Sequence, residues 1–547
     1  MKLIKKLSLI TASLFVLSAC ESYIEEDIFS AITSENFINE NNANQLVVGT
    51  YAQLRGVYKN YSFQFLGTDI FTSKSDVASG FNAENDYFGL TPSAGTGVWN
   101  SNYNVIAKAN VAINRYNTQI EWSDAKLADK ASGIAEAQAL RALGYFNLVQ
   151  QYGGVVLELE ETTSIRADYT RSTEAETYAL IISELEQAIP VLNVSPGTGR
   201  FSKRAAQHLL AQVYLTRAYT SFAGTSDFDM AGSLAEEAIG SYDIRTQSYA
   251  KVFDFDNQVN DEVLFAIQWG ASGVSEDKDN NKHSLFMNQV FNYPGVNRTT
   301  TPYAVSGGNH MPTPFFYSLF SDDDSREAST IHRAILADVD EPNGPDNIAA
   351  GDTVVYYPKV ALSEEELAKS LNRYWVYQPD QYLFGRPSDV DGTNYLYSLN
   401  PELTNFPIFK KFDDKDFNEN GEGSRDSFVF RVAGTHLIAA EAFLGAGNND
   451  KALSHINIVR ERATGNASAY SSVDIDDILN ESALELAGEE NRWASLKRTG
   501  KLQERISMYN PHVVDHGAFD PSVHLLRPIP TSELLLSDGS LIQNPGY

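Results

Sequence analysis

Two neighbouring segments carry apolar residues at helical spacing, and this pairing constrains the fold more than any other feature of the sequence. In KRAAQHLLAQVYLTRAY, residues 203–219, alanine, leucine, valine and tyrosine recur every three or four positions. A break rich in Gly, Ser and Asp follows, and DMAGSLAEEAIGSY, residues 229–242, carries a second stripe of mostly small residues. An amphipathic helix must bury its apolar stripe, and small residues on one helix let its neighbour approach closely. The two segments therefore predict a pair of antiparallel helices.

The same pattern recurs three more times along the chain. Residues 431–463 repeat it with the order of small, aromatic, glycine, alanine and large residues that is typical of a tetratricopeptide helix pair. In that pair, residues 445–449 predict the end of the first helix, and Asp450 predicts the N-cap of the second. The other two pairs combine residues 132–151 with 174–190 and residues 43–58 with 99–117. We therefore predict a mainly α fold, built on four tetratricopeptide-like helix hairpins.

Two long stretches do not follow this pattern. Residues 62–98 and about 242–429 are rich in Gly, Pro, Asn, Tyr and Trp, and they show few clear periods. Loops this long in a compact chain usually carry function. We therefore predict a single domain over residues 41–547, in which a helical scaffold of about residues 41–241 and 430–547 supports an irregular, ligand-binding lobe. Short strands are predicted within the lobe at residues 261–269 and 353–360.

The start of the chain predicts a lipid anchor. A basic beginning and a short apolar run, residues 7–17, lead to Leu-Ser-Ala-Cys, which ends at Cys20, the single cysteine of the chain. This layout is typical of a secretory signal peptide, and the run is too short to span a membrane. Leu-Ser-Ala-Cys also resembles a bacterial lipobox. We expect a lipoprotein signal peptide over residues 1–19, lipidation of Cys20 and a lipidated tether over residues 20–40. An ordinary signal peptide followed by an incidental cysteine is the alternative.

The charge of the chain excludes some classes of partner. The sequence has 71 acidic and 42 basic residues, a formal net charge of −29. A phosphate backbone or an anionic lipid surface would be repelled, so neither nucleic acid nor adhesion to lipid headgroups through a basic patch is expected. Because 43% of the residues are hydrophobic, the chain can still bury a large core. We expect a folded body that is held at a membrane through Cys20.

Several longer motifs together resemble one family. They are the lipobox at Cys20, VWNSNYNVIAKANVAINR at 98–115, AEAQALRALGYFNLVQQYGGV at 135–155, SKRAAQHLLAQVYL at 202–215, the segment from AAEAFLGAG to HINIVRERA at 439–463, ELAGEENRWASLKRTGKL at 485–502 and LRPIPTSELLLSDGSLIQNPGY at 526–547. With them the chain resembles, over nearly its whole length, the SusD/RagB family of outer-membrane glycan-binding lipoproteins of Bacteroidota. One departure is Ser482, where many members carry an arginine, so that one structural ion pair is expected to be missing.

The resemblance implies a fold, a function and partners. It implies four tetratricopeptide-like helix pairs that carry a more irregular lobe. The lipoprotein would lie as a lid over a SusC-like TonB-dependent barrel, capture an oligo- or polysaccharide outside the cell and hand it over for import, without breaking a bond. The location implied is the outer membrane, lipid-anchored and exposed at the cell surface. No cofactor is implied.

Aromatic residues of the irregular regions are the candidates for glycan binding. Sugars present C–H faces, which stack on aromatic rings, and hydroxyls, which need polar side chains nearby. The first candidate segment is NRYWVYQPDQYLFGR, residues 372–386, with Trp375, Tyr377 and Tyr382. Strand alternation places Trp375 and Tyr377 on the same face. The alternative is that these rings pack into the core of the lobe.

Three further segments supply candidates. They are DEVLFAIQW, FNYPGVNR and NDYFG, and the candidate residues in them are Trp269, Tyr293, Asn292, Arg298 and Tyr87. Trp269 closes the predicted strand and precedes a polar loop, while Tyr293 precedes a proline in a predicted turn. Core packing is the alternative for each of these rings. We also expect Trp99 and Trp493, which lie within the family motifs, to be core residues.

The sequence offers little for metal or nucleophilic chemistry. DFNENG, residues 416–421, matches the start of a calcium loop, but position twelve is Ser427, where such a loop needs a bidentate glutamate. A turn rich in Asn and Gly explains the segment more simply, and calcium is the alternative. The 9 histidines show no zinc-ligand spacing, and the sequence contains neither a GxSxG elbow nor a P-loop. We therefore predict a binding protein without catalytic residues.

Two other functions are the alternatives to glycan capture. A surface glycoside hydrolase would need two carboxylates on either side of the scissile bond, and 71 acidic residues always offer some such pair. A receptor with the same fold could instead bind peptides, as tetratricopeptide scaffolds often do. Aromatic loops favour glycan, whereas a deep acidic groove would favour basic peptides.

Overall fold

The chain folds into a mainly α structure, which confirms the predicted fold class. The computed structural model describes residues 38–59, 62–73, 83–88, 90–93, 96–164, 166–195, 197–270, 278–287, 290, 293–296, 310–341, 347–371, 373–379, 406–417 and 421–547. The long helices in these ranges are α1 (Asn44–Tyr58), α2 (Thr96–Thr118), α3 (Leu127–Tyr152), α4 (Glu174–Ala188), α5 (Lys203–Ala218), α6 (Asp227–Ile239), α7 (Val432–Gly445), α8 (Asn449–Thr464) and α9 (Ile475–Leu486).

Each of the four predicted helix pairs is present. Helix α1 packs against α2, α3 against α4, α5 against α6, and α7 against α8. The pairs also contact each other, since α4 packs on α5 and α6 packs on α7. Glycine permits a close approach between α6 and α7, where a Cβ on Gly232 would stand 2.7 Å from the ring of Phe443. The small residues of α6 therefore serve two neighbouring helices. The likeness of the pairs to tetratricopeptide repeats stays a prediction.

The junction between α7 and α8 shows how the sequence sets the helix ends. Helix α7 ends at Gly445, inside the predicted break, and Gly447 has a φ of +77°, which a residue with a Cβ rarely adopts. The predicted N-cap at Asp450 is wrong. Asn448 caps α8 instead, because its side chain accepts a hydrogen bond from the backbone N–H of Lys451. Asp450 lies in the first turn, where its charge favours the helix dipole.

Short helices and strands make up the rest of the regular structure. The short helices are Ser62–Phe65, Ala83–Asp86, Asp124–Lys126, Ile244–Thr246, Tyr249–Val252, Phe255–Asn257, Lys282–Leu285, Pro314–Ser318, Glu327–Thr330, Glu364–Leu371, Arg492–Arg498, Leu502–Tyr509, Pro511–His516, Pro521–His524 and Thr531–Leu536. The strands are β1 (Phe71–Thr72), β2 (Val263–Ile267), β3 (Met311–Pro312), β4 (Ile331–His332), β5 (Ala334–Leu336), β6 (Thr353–Tyr356), β7 (Trp375–Val376), β8 (Ile408–Phe409) and β9 (Ser427–Arg431). None of the helices in the described ranges is both long and apolar enough to cross a membrane.

The strands form small sheets within the irregular lobe. Antiparallel pairs join β1 to β3, β2 to β9 and β4 to β8, while β6 lies between antiparallel β5 and parallel β7. The strands predicted at residues 261–269 and 353–360 are confirmed, although β2 ends at Ile267 and β6 at Tyr356. Strand β9 runs directly into α7, so the ribbon of β2 and β9 connects the lobe to the helices.

A buried network of ion pairs also ties the lobe to the helices. Glu485 of α9 contacts three arginines: Arg326 of the lobe, Arg431 at the end of β9 and Arg462 of α8. The side chains of all four are at most 1% exposed. The network continues through Asp324, Glu481, Glu262, Glu489 and Lys411. Loss of one partner would leave a buried charge uncompensated, so these contacts fix the position of the lobe on α8 and α9.

Candidate functional site

The first candidate segment is positioned by a parallel strand pair. Strand β7 lies beside β6, with Trp375 opposite Val355 and Val376 opposite Tyr356. Val376 is buried, whereas Trp375 is half-buried and packs against the main hydrophobic core with part of its ring exposed. Tyr377 follows the strand, and its backbone N–H donates to the carbonyl of Tyr356 at 3.0 Å. The segment is therefore held by backbone hydrogen bonds, and it presents Trp375 at the edge of the lobe.

A tight turn brings Tyr293 to the same place. The backbone N–H of Val296 donates to the carbonyl of Tyr293 at 3.2 Å, and Gly295 has a φ of +78°. Proline at the second position and a left-handed glycine at the third are typical of a type II turn, as the Tyr-Pro-Gly-Val sequence requires. The N–H of Gly295 also donates to Glu341 Oε2 at 2.6 Å. The predicted turn is thus confirmed.

Three candidate rings meet at this point. The hydroxyls of Tyr293 and Tyr377 lie 2.6 Å apart, and the ring of Tyr293 meets that of Trp375 edge-on with centroids 5.3 Å apart. Because Trp375 and Tyr377 both contact Tyr293, they share one side of the strand. Tyr357 stacks on Tyr377 with centroids 5.8 Å apart. Tyr293 and Tyr377 are only 6% and 3% exposed, so in this cluster Trp375 holds the ring that reaches solvent and the tyrosines support it.

Two further aromatic residues lie on the other side of the strand pair, and the sequence analysis did not single them out. Tyr356 and Tyr374 are both half-buried, and their rings meet edge-on with centroids 6.2 Å apart. Alternation could have indicated them, since Tyr374 precedes Trp375 and Tyr356 precedes Tyr357. The edge of β6 and β7 therefore carries partly exposed aromatic rings on both faces.

Besides Tyr293 and Tyr377, two more of the predicted ligand residues lie in the core. Trp269 is fully buried, its indole N–H donates to Ser427 Oγ at 3.0 Å, and Arg55 lies over its ring. Tyr87 is 2% exposed and donates to the carbonyl of Gly67 at 2.7 Å. Neither ring has an open face on which a sugar could stack. The core positions predicted for Trp99 and Trp493 are confirmed, because they are 3% and 0% exposed.

Some predicted residues lie outside the described part of the chain. They are Cys20, Asn292, Arg298 and Tyr382. The segment considered for calcium is described only in part, and there Asp416 forms an ion pair with Lys278 and accepts a hydrogen bond from Ser424 Oγ. Within the described ranges, no group of three or more His, Cys, Asp or Glu side chains is placed to hold a metal ion.

The family assignment follows from the second half of the chain. A model of the SusD family matches residues 261–547, which is more than half of the sequence and includes Trp375. The chain belongs to the SusD family. A second model, described as starch-binding and associating with the outer membrane, matches residues 17–215. The resemblance that the motifs indicated is thereby confirmed.

Relatives of this SusD-family chain are distant but extend over most of it. A SusD-like protein of Bacteroides ovatus is 25% identical over 408 residues, which are 73% of this chain and 64% of that protein. This chain thus matches just under two thirds of that relative's length. A SusD-like protein of Formosa agariphila is 25% identical over 547 residues, covering 93% of this chain and 94% of the relative. The solved structure of a laminarin-binding SusD-like protein has a TM-score of 0.68 and 23% identity, and the match covers 93% of this chain and all of that one. The SusD-like fold is therefore shared.

Proposed function

We propose that this chain is a glycan-binding lipoprotein of the outer membrane. It captures oligo- or polysaccharide at the cell surface and hands it to a SusC-like TonB-dependent transporter, without breaking a bond in the ligand. Membership of the SusD family supports this proposal. The second matching family model is described as starch-binding, and one similar solved structure is that of a laminarin-binding protein, which also support it. The lipid on Cys20 would hold the protein at the membrane, and two or more acyl chains suffice for stable attachment.

The observation that carries the proposal is the half-buried ring of Trp375. It packs edge-to-face with the ring of Tyr293, and Tyr293 is held in turn by the hydroxyl contact with Tyr377. A rigid, partly exposed aromatic face binds the C–H face of a sugar with little loss of side-chain freedom. Stacking of a base on such a ring contributes about 1–3 kcal/mol, which is a useful comparison for a sugar. A few such contacts give micromolar to millimolar binding after the cost of association, as suits a protein that must release its cargo.

The charge of the chain narrows the class of glycan. With a net charge of −29, the protein repels strongly anionic polysaccharides at low salt. We therefore expect neutral glycans to bind better than uronic-acid or sulfated polymers. Laminarin and starch are the first probes because both are neutral.

Replacing Trp375 by alanine tests the site. We expect Trp375→Ala to weaken binding of the preferred neutral glycan at least about tenfold, since the main stacking face is lost. Isothermal titration calorimetry on protein that starts after Cys20 measures this directly. Trp122→Ala is the matched control, because Trp122 is also half-buried and packs on a tyrosine, with centroids 5.1 Å apart, but lies between α2 and α3. Unchanged affinity in Trp375→Ala would contradict the assignment of the site.

A further inference from the structure

A pocket that Trp375 does not line lies where α5 begins beside the ribbon of β2 and β9. Its volume is about 300 Å³, at the lower end of the range for small-ligand sites. Its walls are residues 194–195 and 197–199 of the loop before α5, the segment of residues 258–268 and the side chain of Asp426. None of the candidates from the sequence analysis lines it. The loop that precedes α5 therefore closes one side of a cavity whose floor is β2.

The walls of this pocket are fixed by contacts between distant segments. The backbone N–H of Asp426 donates to Gln258 Oε1 at 2.5 Å, and Trp269 donates through its backbone N–H to Asp426 Oδ1 at 3.1 Å. Arg55 of α1 donates to the carbonyl of Gln268 at 2.9 Å. Gly199 has a φ of +74°, and a Cβ there would stand 2.5 Å from Gln268 Oε1. Glycine at this position lets the loop close against the Gln268 side chain.

Several polar groups in the walls are left for a ligand. In the described chain, the side-chain amide of Gln268, the amide nitrogen of Gln258, the hydroxyl of Thr198 and Oδ2 of Asp426 make no hydrogen bond to protein. The set offers donors and acceptors side by side, as a row of hydroxyls on a ligand requires. Burial raises the pKa of Asp426 to about 6, so its carboxylate is mostly ionised at neutral pH and can accept a hydrogen bond.

The cations that line the pocket are already paired. Arg200 donates to both carboxylate oxygens of Glu136, and Arg204 donates to the backbone carbonyls of Ala238 and Ile239. An anionic ligand would therefore meet Asp426 without a free counter-charge. Such a ligand is disfavoured, whereas a neutral one is not.

Apolar contact is available at the rim. Val194 and Val259 line the pocket and are 60% and 68% exposed, so they can cover the C–H groups of a small ring. Phe265, the aromatic residue of the lining, is 2% exposed and offers no open face for stacking. A ligand in this pocket would therefore be bound mainly through hydrogen bonds, and the two valines would supply the apolar contacts.

We propose that this pocket is a second carbohydrate site, which binds one or two neutral sugar residues through Gln268, Gln258, Thr198 and Asp426. The choice of a sugar as the ligand rests on the proposed function, but this site uses none of the residues around Trp375. A long glycan would stack at Trp375, while a chain end or a free mono- or disaccharide would enter this pocket.

Methyl NMR on valine-labelled protein tests the proposal at the pocket itself. The probes are the methyl glycosides of glucose, galactose, mannose and N-acetylglucosamine, and the signals of Val194 and Val259 are assigned with Val194→Ala and Val259→Ala. We expect at least one glycoside to shift both signals saturably, with a millimolar dissociation constant. Gln268→Leu should weaken this binding about tenfold, because one hydrogen-bonding side chain is lost. Thr198→Val, on the exposed loop, should also weaken binding of the glycoside. The signals of the other valines should stay in place, which shows that the variant is folded.

Two results would overturn the second site. One is that no glycoside shifts Val194 and Val259. The other is that the shifts persist with unchanged affinity in both Gln268→Leu and Thr198→Val. The shifts should also survive in Trp375→Ala, because that ring is not part of the pocket. A failure of glycan binding at Trp375 is thereby distinguished from a failure of the pocket.

Discussion

Glu485→Gln should destabilise the protein by about 3–5 kcal/mol, because it removes the charge on which three buried arginines converge. Arg326, Arg431 and Arg462 all contact this carboxylate, and none of them is more than 1% exposed. The amide keeps the shape of the side chain, so the loss reports on charge and not on a cavity. Urea denaturation measures it, since urea does not screen the ion pairs as guanidinium would.

The same network predicts how the loss of stability in Glu485→Gln depends on pH. Burial alone would raise the pKa of Glu485, but Arg462, Arg431 and Arg326 outweigh it and lower the pKa from 4.5 to about 2. A depressed pKa contributes stability above the pKa of the unfolded chain, and this contribution is lost as the pH falls through the folded value. The difference in the free energy of unfolding between parent and variant should therefore be largest at neutral pH and decrease below pH 4.5. Glu365→Gln is the control, because Glu365 pairs with Lys369 at the surface. Equal urea midpoints for Glu485→Gln and the parent would contradict this account.

Asp69→Asn should have an effect of similar size at a second buried cluster of ion pairs. Asp69 is fully buried and accepts from Arg492 through both carboxylate oxygens, at 2.9 and 2.7 Å, and from Arg505 at 2.7 Å. Burial alone would raise the pKa of Asp69, but the two arginines outweigh it and the pKa lies below its ordinary value. Asparagine removes the carboxylate that pairs with Arg492 and leaves Arg505 with Asp476, a partner that is 39% exposed. We expect a loss of about 3–5 kcal/mol.

Urea denaturation at neutral pH checks this loss, and Asp129→Asn is the control because Asp129 pairs with Lys126 at the surface. Asp69 precedes β1, while Arg492 lies in the NRW motif, so this contact joins segments more than four hundred residues apart. A variant that unfolds at the same urea concentration as the parent would show that the contact is not needed to hold the two segments together.

The helices could be predicted because their signal is local. The apolar stripes of α5, α6 and α7 repeat every three or four residues, and each helix was found where that period predicted it. The wrong prediction of the N-cap of α8 also concerns neighbouring residues. Both Asn448 and Asp450 are suitable capping residues, and the choice between them depends on where the backbone turns after Gly447.

The accessibility of aromatic side chains could not be predicted in this way. Trp269 lies in the core because Arg55, more than two hundred residues earlier, covers its ring and because β9 supplies Ser427 as its hydrogen-bond partner. Tyr87 is buried for a similar reason, since Phe519 meets its ring edge-on at 4.9 Å. Such contacts are set by the tertiary fold and leave no mark on the neighbouring sequence. A single aromatic residue in an irregular region is therefore weak evidence for a binding site.

The pocket beside α5 could not be predicted from the sequence either. Gln258, Gln268 and Asp426 form no motif, and they meet because β2 pairs with β9. Gly199 lies against the Gln268 side chain and adopts a left-handed conformation there, with no room for a Cβ. In contrast, the turn at Tyr293 was predictable, since Tyr-Pro-Gly contains the residues that its type of turn requires.

Calorimetric titration of the parent protein tests the central claim most directly. The protein should start just after Cys20 and be titrated with neutral polysaccharides, with acidic polysaccharides and with a mixed peptide pool. We predict saturable binding of at least one neutral glycan, with a dissociation constant between micromolar and millimolar, and no saturable binding of peptides. Saturable binding of peptides with every glycan silent would contradict the claim, and the SusD-like fold would then serve a different cargo.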